Sequence, residues 1–134
     1  MMDVTGSCHC GAVAYCASID AQQVTLCHCI DCQKLTGSAY RVSVPAQRGT
    51  FRLLAGAPTI YVKIGASGAH RAQAFCASCG SPLYTYALAT PEQIGLRVGC
   101  IDQRRQLTPV RQKWCNAALP WVMALDSLPK RPEE

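Results

Sequence analysis

Cys27-His28-Cys29-Ile30-Asp31-Cys32 places three thiols within six consecutive residues. Two shorter runs repeat the theme, Cys8-His9-Cys10 and Cys76-Ala77-Ser78-Cys79. Together they hold seven of the chain's ten cysteines. Seven thiols divide naturally into four and three. Zinc takes four protein ligands in a structural site, and three with one position open in a catalytic site. The division predicts one closed metal site and one open one. The open one is where chemistry is expected.

In an extended Cys-x-Cys, side chains i and i+2 share a face. Cys8 with Cys10, and Cys27 with Cys29, are therefore each expected to grip one ion. His9 and His28 then point away, to support structure or line a site. Cys76-x-x-Cys79 has the spacing of a zinc knuckle, with Gly80 expected in a left-handed conformation after the second ligand. The same spacing serves redox dithiols, but no thioredoxin-like βαβ pattern surrounds it here. Cys27, Cys29 and Cys32 make a local tripod, with Cys32 near the start of a short helical turn whose dipoles favour a thiolate. By elimination, Cys8 and Cys10 join Cys76 and Cys79. Spacing alone also permits a Cys8/Cys10/Cys27/Cys29 site, or two closed sites with the second completed by a further residue. Cys16, Cys100 and Cys115 lie outside the clusters; Cys16 and Cys100 read as strand positions, where a free thiol acts as a small hydrophobe.

The 134 residues suit one domain. That domain is expected over residues 1–134, with its core at about 6–129 and a tail at 130–134. With 49% apolar residues a core can be buried, and metal cross-links would help so small a chain. No run approaches the roughly 18 apolar residues of a membrane span. The N-terminus lacks a basic segment followed by an apolar one, so no secretory signal is expected. The cysteines are then expected to be reduced and cytoplasmic, which favours metal over disulfides. The net charge of +5 counts every thiol as neutral. Seven thiolates on two zinc ions would lower it, which argues against a nucleic-acid partner and suits a small anionic substrate. Arg104, Arg105, Arg111 and Lys113, near Trp114, read as the solvated face of a loop and an edge strand.

Alternation at period two marks half-buried strands. Val42 and Val44 oppose Arg41 and Ser43. Ile60, Val62 and Ile64 oppose Thr59, Tyr61 and Lys63. Ile94, Leu96 and Val98 oppose Gly95, Arg97 and Gly99. The helical signal is one or two turns around Asp31 to Leu35, stopped by Gly37. The fold class is mainly β: antiparallel sheets pinned by metal, with little helix.

With their neighbours, the three cysteine runs (Gly6 to Gly11, Cys27 to Gly37, Phe75 to Pro82) resemble the glutathione-dependent formaldehyde-activating family. That family shares its domain with centromere protein V. Phe51 to Gly56, Tyr61, Leu96 to Gly99, Asp102 and Trp114 to Trp121 add weaker matches. The resemblance implies a β-tent fold. It implies a structural zinc on Cys8, Cys10, Cys76 and Cys79, and an active-site zinc on Cys27, Cys29 and Cys32. It implies carbon–sulfur lyase chemistry, the reversible joining of formaldehyde and glutathione to S-(hydroxymethyl)glutathione. In that reading the open zinc position takes a small thiol, which adds to formaldehyde or another small aldehyde. His28, Asp31, Lys34 and Tyr40 are the proton donors nearest in sequence. Lys34, Arg41 and Arg71 are the cations that would steady the charge. The competing class is a non-catalytic zinc-scaffolded binding module.

Overall fold

Two sheets arise from the alternating segments. The computed structural model describes residues 1–133. Strands β1 (Met2–Ser7), β2 (Ala14–Ile19) and β5 (Arg52–Ala55) form a three-stranded antiparallel sheet in the order β1-β2-β5. The second sheet has seven strands: β3 (Thr25–Cys27), β4 (Arg41–Pro45), β6 (Thr59–Ile64), β7 (His70–Phe75), β8 (Pro82–Ala87), β9 (Thr90–Arg97) and β10 (Arg111–Lys113). Their order is β10-β3-β4-β9-β8-β7-β6. All its pairings are antiparallel except that of β10 with β3. This parallel pair departs from the antiparallel expectation. A parallel partner needs a long connection, and the whole middle of the chain lies between Cys27 and Arg111.

Period two assigns the two faces of the seven-stranded sheet. Val44, Leu96, Tyr84, Ala74 and Ile60 stand opposite one another in register. The first four are buried in one cluster with Val4, Tyr15, Ala17 and Ile19 of the smaller sheet. The alternate positions turn the other way: Cys27 and Arg41, Thr25, Ser43 and Arg97, then Gly95, Thr85 and Gln73, and finally Lys63 and Arg71. One face of the sheet is thus core and the other polar. β6 forms where alternation predicts a strand, but not half-buried: Ile60, Val62 and Ile64 are 40%, 41% and 67% exposed. Three strands cannot cover seven, and β6 is the far edge.

The one α-helix among the described residues, α1 (Ile30–Thr36), falls where expected. Gly37 ends it at φ 63°, its N–H bonded to the carbonyl of Gln33. β9 stops sooner than its pattern suggests. Val98 to Cys100 form a single 3-10 turn, so Cys100 is a turn residue rather than a strand residue, while Cys16 does lie in β2. No helix among the described residues is long and apolar enough to cross a membrane.

Candidate metal centres and the adjoining cleft

The first cysteine group is built from two turns. β1 ends at Ser7, so Cys8 and Cys10 lie in a turn and not in the extended Cys-x-Cys that spacing suggested. Gly11, at φ 80°, closes it with a bond from its N–H to the Cys8 carbonyl at 3.1 Å. The second turn follows β7. There the Gly80 N–H reaches the Cys76 carbonyl at 2.7 Å, and Gly80 has the expected left-handed φ of 78°. The His9 N–H donates to Ser81 Oγ at 3.0 Å and ties the turns together.

The sulfurs of Cys8, Cys10, Cys76 and Cys79 all lie within 4.8 Å of one another. Cys8 to Cys10 is 3.7 Å and Cys10 to Cys76 is 3.8 Å. A tetrahedron of sulfurs about 2.3 Å from a central zinc has edges of about 3.8 Å. The thiols are electrostatically unequal. A hydrogen bond with Ser81 Oγ, then backbone N–H groups, bring Cys79 down to about 5. Cys10 keeps a backbone bond that lowers its pKa, yet the neighbouring sulfurs, Cys8 first, drive it up to about 11. Four crowded sulfurs cannot all ionise unless a cation sits among them, so this donor set fits a divalent, thiophilic ion.

The second group holds Cys27, Cys29 and Cys32, again within 4.8 Å of one another. Cys27 ends β3, Cys29 caps α1 and Cys32 lies in its first turn. The Cys32 N–H donates to Cys29 Sγ at 3.3 Å. Sequence placed the favoured thiolate at Cys32; the geometry moves it to Cys29. Burial opposes ionisation of Cys29, but hydrogen bonds from Cys32 and Cys27 and the nearby Lys63 ammonium lower its pKa overall. Burial carries Cys32 up to about 12, with Arg41 opposing. Three thiols fit a divalent ion while leaving a fourth position free. Cys16, Cys100 and Cys115 join neither group.

The second group opens on a cleft. Its cavity, about 570 Å³, lies along the polar face of the seven-stranded sheet and is lined by both Cys27 and Cys29. Lys113 and Arg41 stand directly beside Cys27 on the flanking strands. Lys63, on β6, reaches across to Asp31 of α1 with Nζ to Oδ2 at 2.9 Å. Trp114 forms part of the wall. It is the one non-glycine residue at positive φ, 56°, among the described residues.

The proton donors nearest in sequence are differently placed. His28 is buried: its Nε2 donates to Gln112 Oε1 at 2.8 Å, and its ring meets Tyr40 edge-on. Both line another cavity, of about 390 Å³. Lys34 is exposed at the end of α1 and does not line the cleft, and Asp31 is held by Lys63. Gln33 donates to the carbonyls of His28 at 2.7 Å and Ala117 at 3.1 Å, tying the cysteine loop to the C-terminal segment. Sequence reasoning singled out Arg41 and Arg71, which do line the cleft, but passed over Lys63. It read Arg111 and Lys113 as a solvated edge. β10 is an edge strand, yet it also forms one wall of the cleft. Period two was the available signal: Lys63 shares the parity of Tyr61, on the polar side.

A model of the family described as "Glutathione-dependent formaldehyde-activating enzyme" matches residues 3–117. Among solved structures, the chain is similar to the crystal structure of a Rhodobacter sphaeroides protein, a structural-genomics target. The TM-score is 0.62 at 23% identity, over 81% of this chain and 98% of that one. That likeness concerns the fold.

Proposed function

The chain belongs to the glutathione-dependent formaldehyde-activating enzyme family, and from that premise we propose that it is a zinc-dependent carbon–sulfur lyase. The reaction is the reversible addition of a small thiol, with glutathione as the first candidate, to formaldehyde or another small aldehyde. The whole of residues 1–134 acts as one domain in this reading, with Cys8, Cys10, Cys76 and Cys79 holding a structural zinc. Cys27, Cys29 and Cys32 hold the active-site zinc. The observation that carries the reading is the contrast between the groups: Cys27 and Cys29 of the three-cysteine group line a cleft of about 570 Å³, and none of the four cysteines of the other group lines it.

Zinc held by three thiolates supplies an open position at which a thiol loses its proton more readily. The chain's own residues do the rest. Lys113 and Arg41, beside Cys27, offset the negative charge of the crowded sulfurs. Lys63 Nζ, anchored by Asp31 and only 15% exposed, lines the cleft with Cys29 and takes the role of proton donor. The thiol gives up its proton to solvent, its sulfur bonds to the carbonyl carbon, the π electron pair moves to oxygen, and Lys63 protonates that oxygen and then recovers a proton from solvent. In the reverse direction Lys63 takes that proton back and the carbon–sulfur bond breaks. Such general acid–base help is worth about 10²- to 10⁴-fold. Trp114 and Ile94 give the cleft an apolar part of its wall.

The test is exchange NMR on glutathione plus formaldehyde, with zinc-loaded protein, its Cys29→Ser variant and a protein-free control. Acceleration by the wild type alone is the expected result. No acceleration by wild type would remove this substrate pair and favour the zinc-scaffolded binding module. Equal acceleration by a folded Cys29→Ser variant would remove the three-cysteine site from the chemistry.

A further inference from the structure

The polar face of the seven-stranded sheet carries far more positive charge than three thiols require. Arg41, Lys63, Arg71, Arg111 and Lys113 line the cleft, and no Asp or Glu does. Asp31, the one acid that contacts these cations among the described residues, is taken by Lys63. Arg71 lies directly across from Lys63 in the β6–β7 register, a like-charge pairing that destabilises a sheet. Arg97 deepens the imbalance. It projects from the same face in register with Ser43, is 4% exposed, and bonds only Gln73 Oε1, through Nη2 at 3.0 Å. Its Nε and Nη1 are buried without a partner. Arg41 links it to the cleft, because it lines both the cleft and a cavity of about 300 Å³ that Arg97 also lines. Burial, then the proximity of Arg41, pulls Arg97 down to about 9, and the nearby thiols of Cys32 and Cys100 resist. Arg71 also lies within its electrostatic reach. Arg41 and Arg71 thus line the cleft with no carboxylate in its wall, and Arg97 lies buried beside Arg41.

This arrangement selects against part of glutathione's own chemistry. A glutathione molecule carries two carboxylates and an ammonium, and the cleft offers that ammonium no carboxylate. Planar guanidiniums instead match the oxygens of a phosphate, which takes several charge-assisted bonds at once. Resting on the lyase reading above, we propose that Arg41 and Arg71, which both line the cleft, form a subsite for a phosphate group carried by the substrate, so that the cleft takes a phosphorylated thiol or a phosphorylated aldehyde. The phosphate anchors the molecule on the arginines while its sulfur or carbonyl reaches Cys27 and Cys29.

Binding, not turnover, tests this. Zinc-loaded protein is melted in inorganic phosphate and in chloride of equal ionic strength. Phosphate is expected to raise Tm beyond chloride. Arg71→Gln is expected to raise Tm in phosphate-free buffer, by relieving repulsion, and to remove the phosphate increment. Calorimetry then separates the two sources. Phosphopantetheine against pantetheine probes the thiol, and glycolaldehyde phosphate against glycolaldehyde the aldehyde. The phosphorylated member of one pair is expected to bind at least about tenfold tighter. A phosphate increment no larger than that of chloride overturns the proposal. So does an increment that survives in Arg71→Gln, or in Arg41→Gln should the first variant not fold. Equal affinities within both pairs overturn the substrate assignment. Failure of lyase turnover with phosphate binding intact refutes the reaction and leaves the subsite standing.

Discussion

Substituting Cys10 by serine isolates the cross-link from the packing around it. Cys10 is exposed, whereas Cys8 and Cys76 are 3% and 2% exposed. Its loss therefore costs little hydrophobic contact. What it removes is a bridge: Cys10 Sγ lies 3.8 Å from Cys76 Sγ across a separation of 66 residues. Closing a loop of that length in the unfolded chain costs about 4 kcal/mol of entropy at room temperature. A metal cross-link that holds the loop closed spares folding that cost. The expected effect of Cys10→Ser is a loss of about 4 kcal/mol, or roughly 10–20 °C in Tm for a chain of this size. Metal analysis should show one zinc fewer per chain. Cys16→Ser, a half-buried thiol outside both clusters, is the control and should keep both metal and melting temperature. Differential scanning calorimetry beside elemental analysis makes the measurement. A Cys10→Ser protein that melts within about 2 °C of wild type with unaltered zinc would show that no cross-link runs through this cluster.

Three further outcomes follow from the same structure. Lys63→Met should lower kcat by about 10²-fold or more without lowering Tm, because its partner Asp31 is 52% exposed and the like charge opposite Arg71 is removed; an unchanged kcat would remove Lys63 as the proton donor. Tyr15→Phe removes a fully buried hydroxyl with no partner, so stability near neutral pH should hold or rise by about 1 kcal/mol, checked by urea titration. Burial raises the pKa of Tyr15, so above the ordinary value near 10 the unfolded chain gives up a proton that the fold retains. Wild type should then lose about 1.4 kcal/mol by about pH 11 that Tyr15→Phe does not; parallel pH profiles would refute it. Gly56→Ala should cost at least about 2 kcal/mol, since a Cβ there would lie 2.1 Å from the Ala12 carbonyl oxygen at φ 70°; a midpoint equal to wild type would show that the turn can move.

The cysteine runs and the period-two pattern made much of this molecule legible before any coordinates. Val42 to Val44 and Ile94 to Leu96 carry their side of the sheet in their own alternation, and Gly37 and Gly80 announce left-handed turns by having no side chain. Other features depend on what lies opposite in space. Ile60, Val62 and Ile64 look half-buried in sequence, yet nothing in their own strand reveals that the covering sheet has only three strands. Lys113 and Cys27 stand side by side through a parallel pairing between distant segments, which no local pattern encodes. Arg97 looks like any alternating polar residue; its burial comes from its neighbours. The chemistry-bearing types were therefore readable, and the charges that surround them were not.

The late arrival of β10 has a consequence for biosynthesis. The tripod of Cys27, Cys29 and Cys32 is complete within six residues, and so exists on a nascent chain long before its surroundings. The outer neighbour of its strand, Arg111–Lys113, is translated long after it. Thiolates alone discriminate poorly among thiophilic ions such as copper(I) and zinc. The first metal to meet the growing peptide thus encounters a chelator without a cleft, and only the finished protein presents it within a wall of cations. Fidelity of metal choice at such a centre would rest on the ions available during translation, while fidelity of substrate choice would wait for β10.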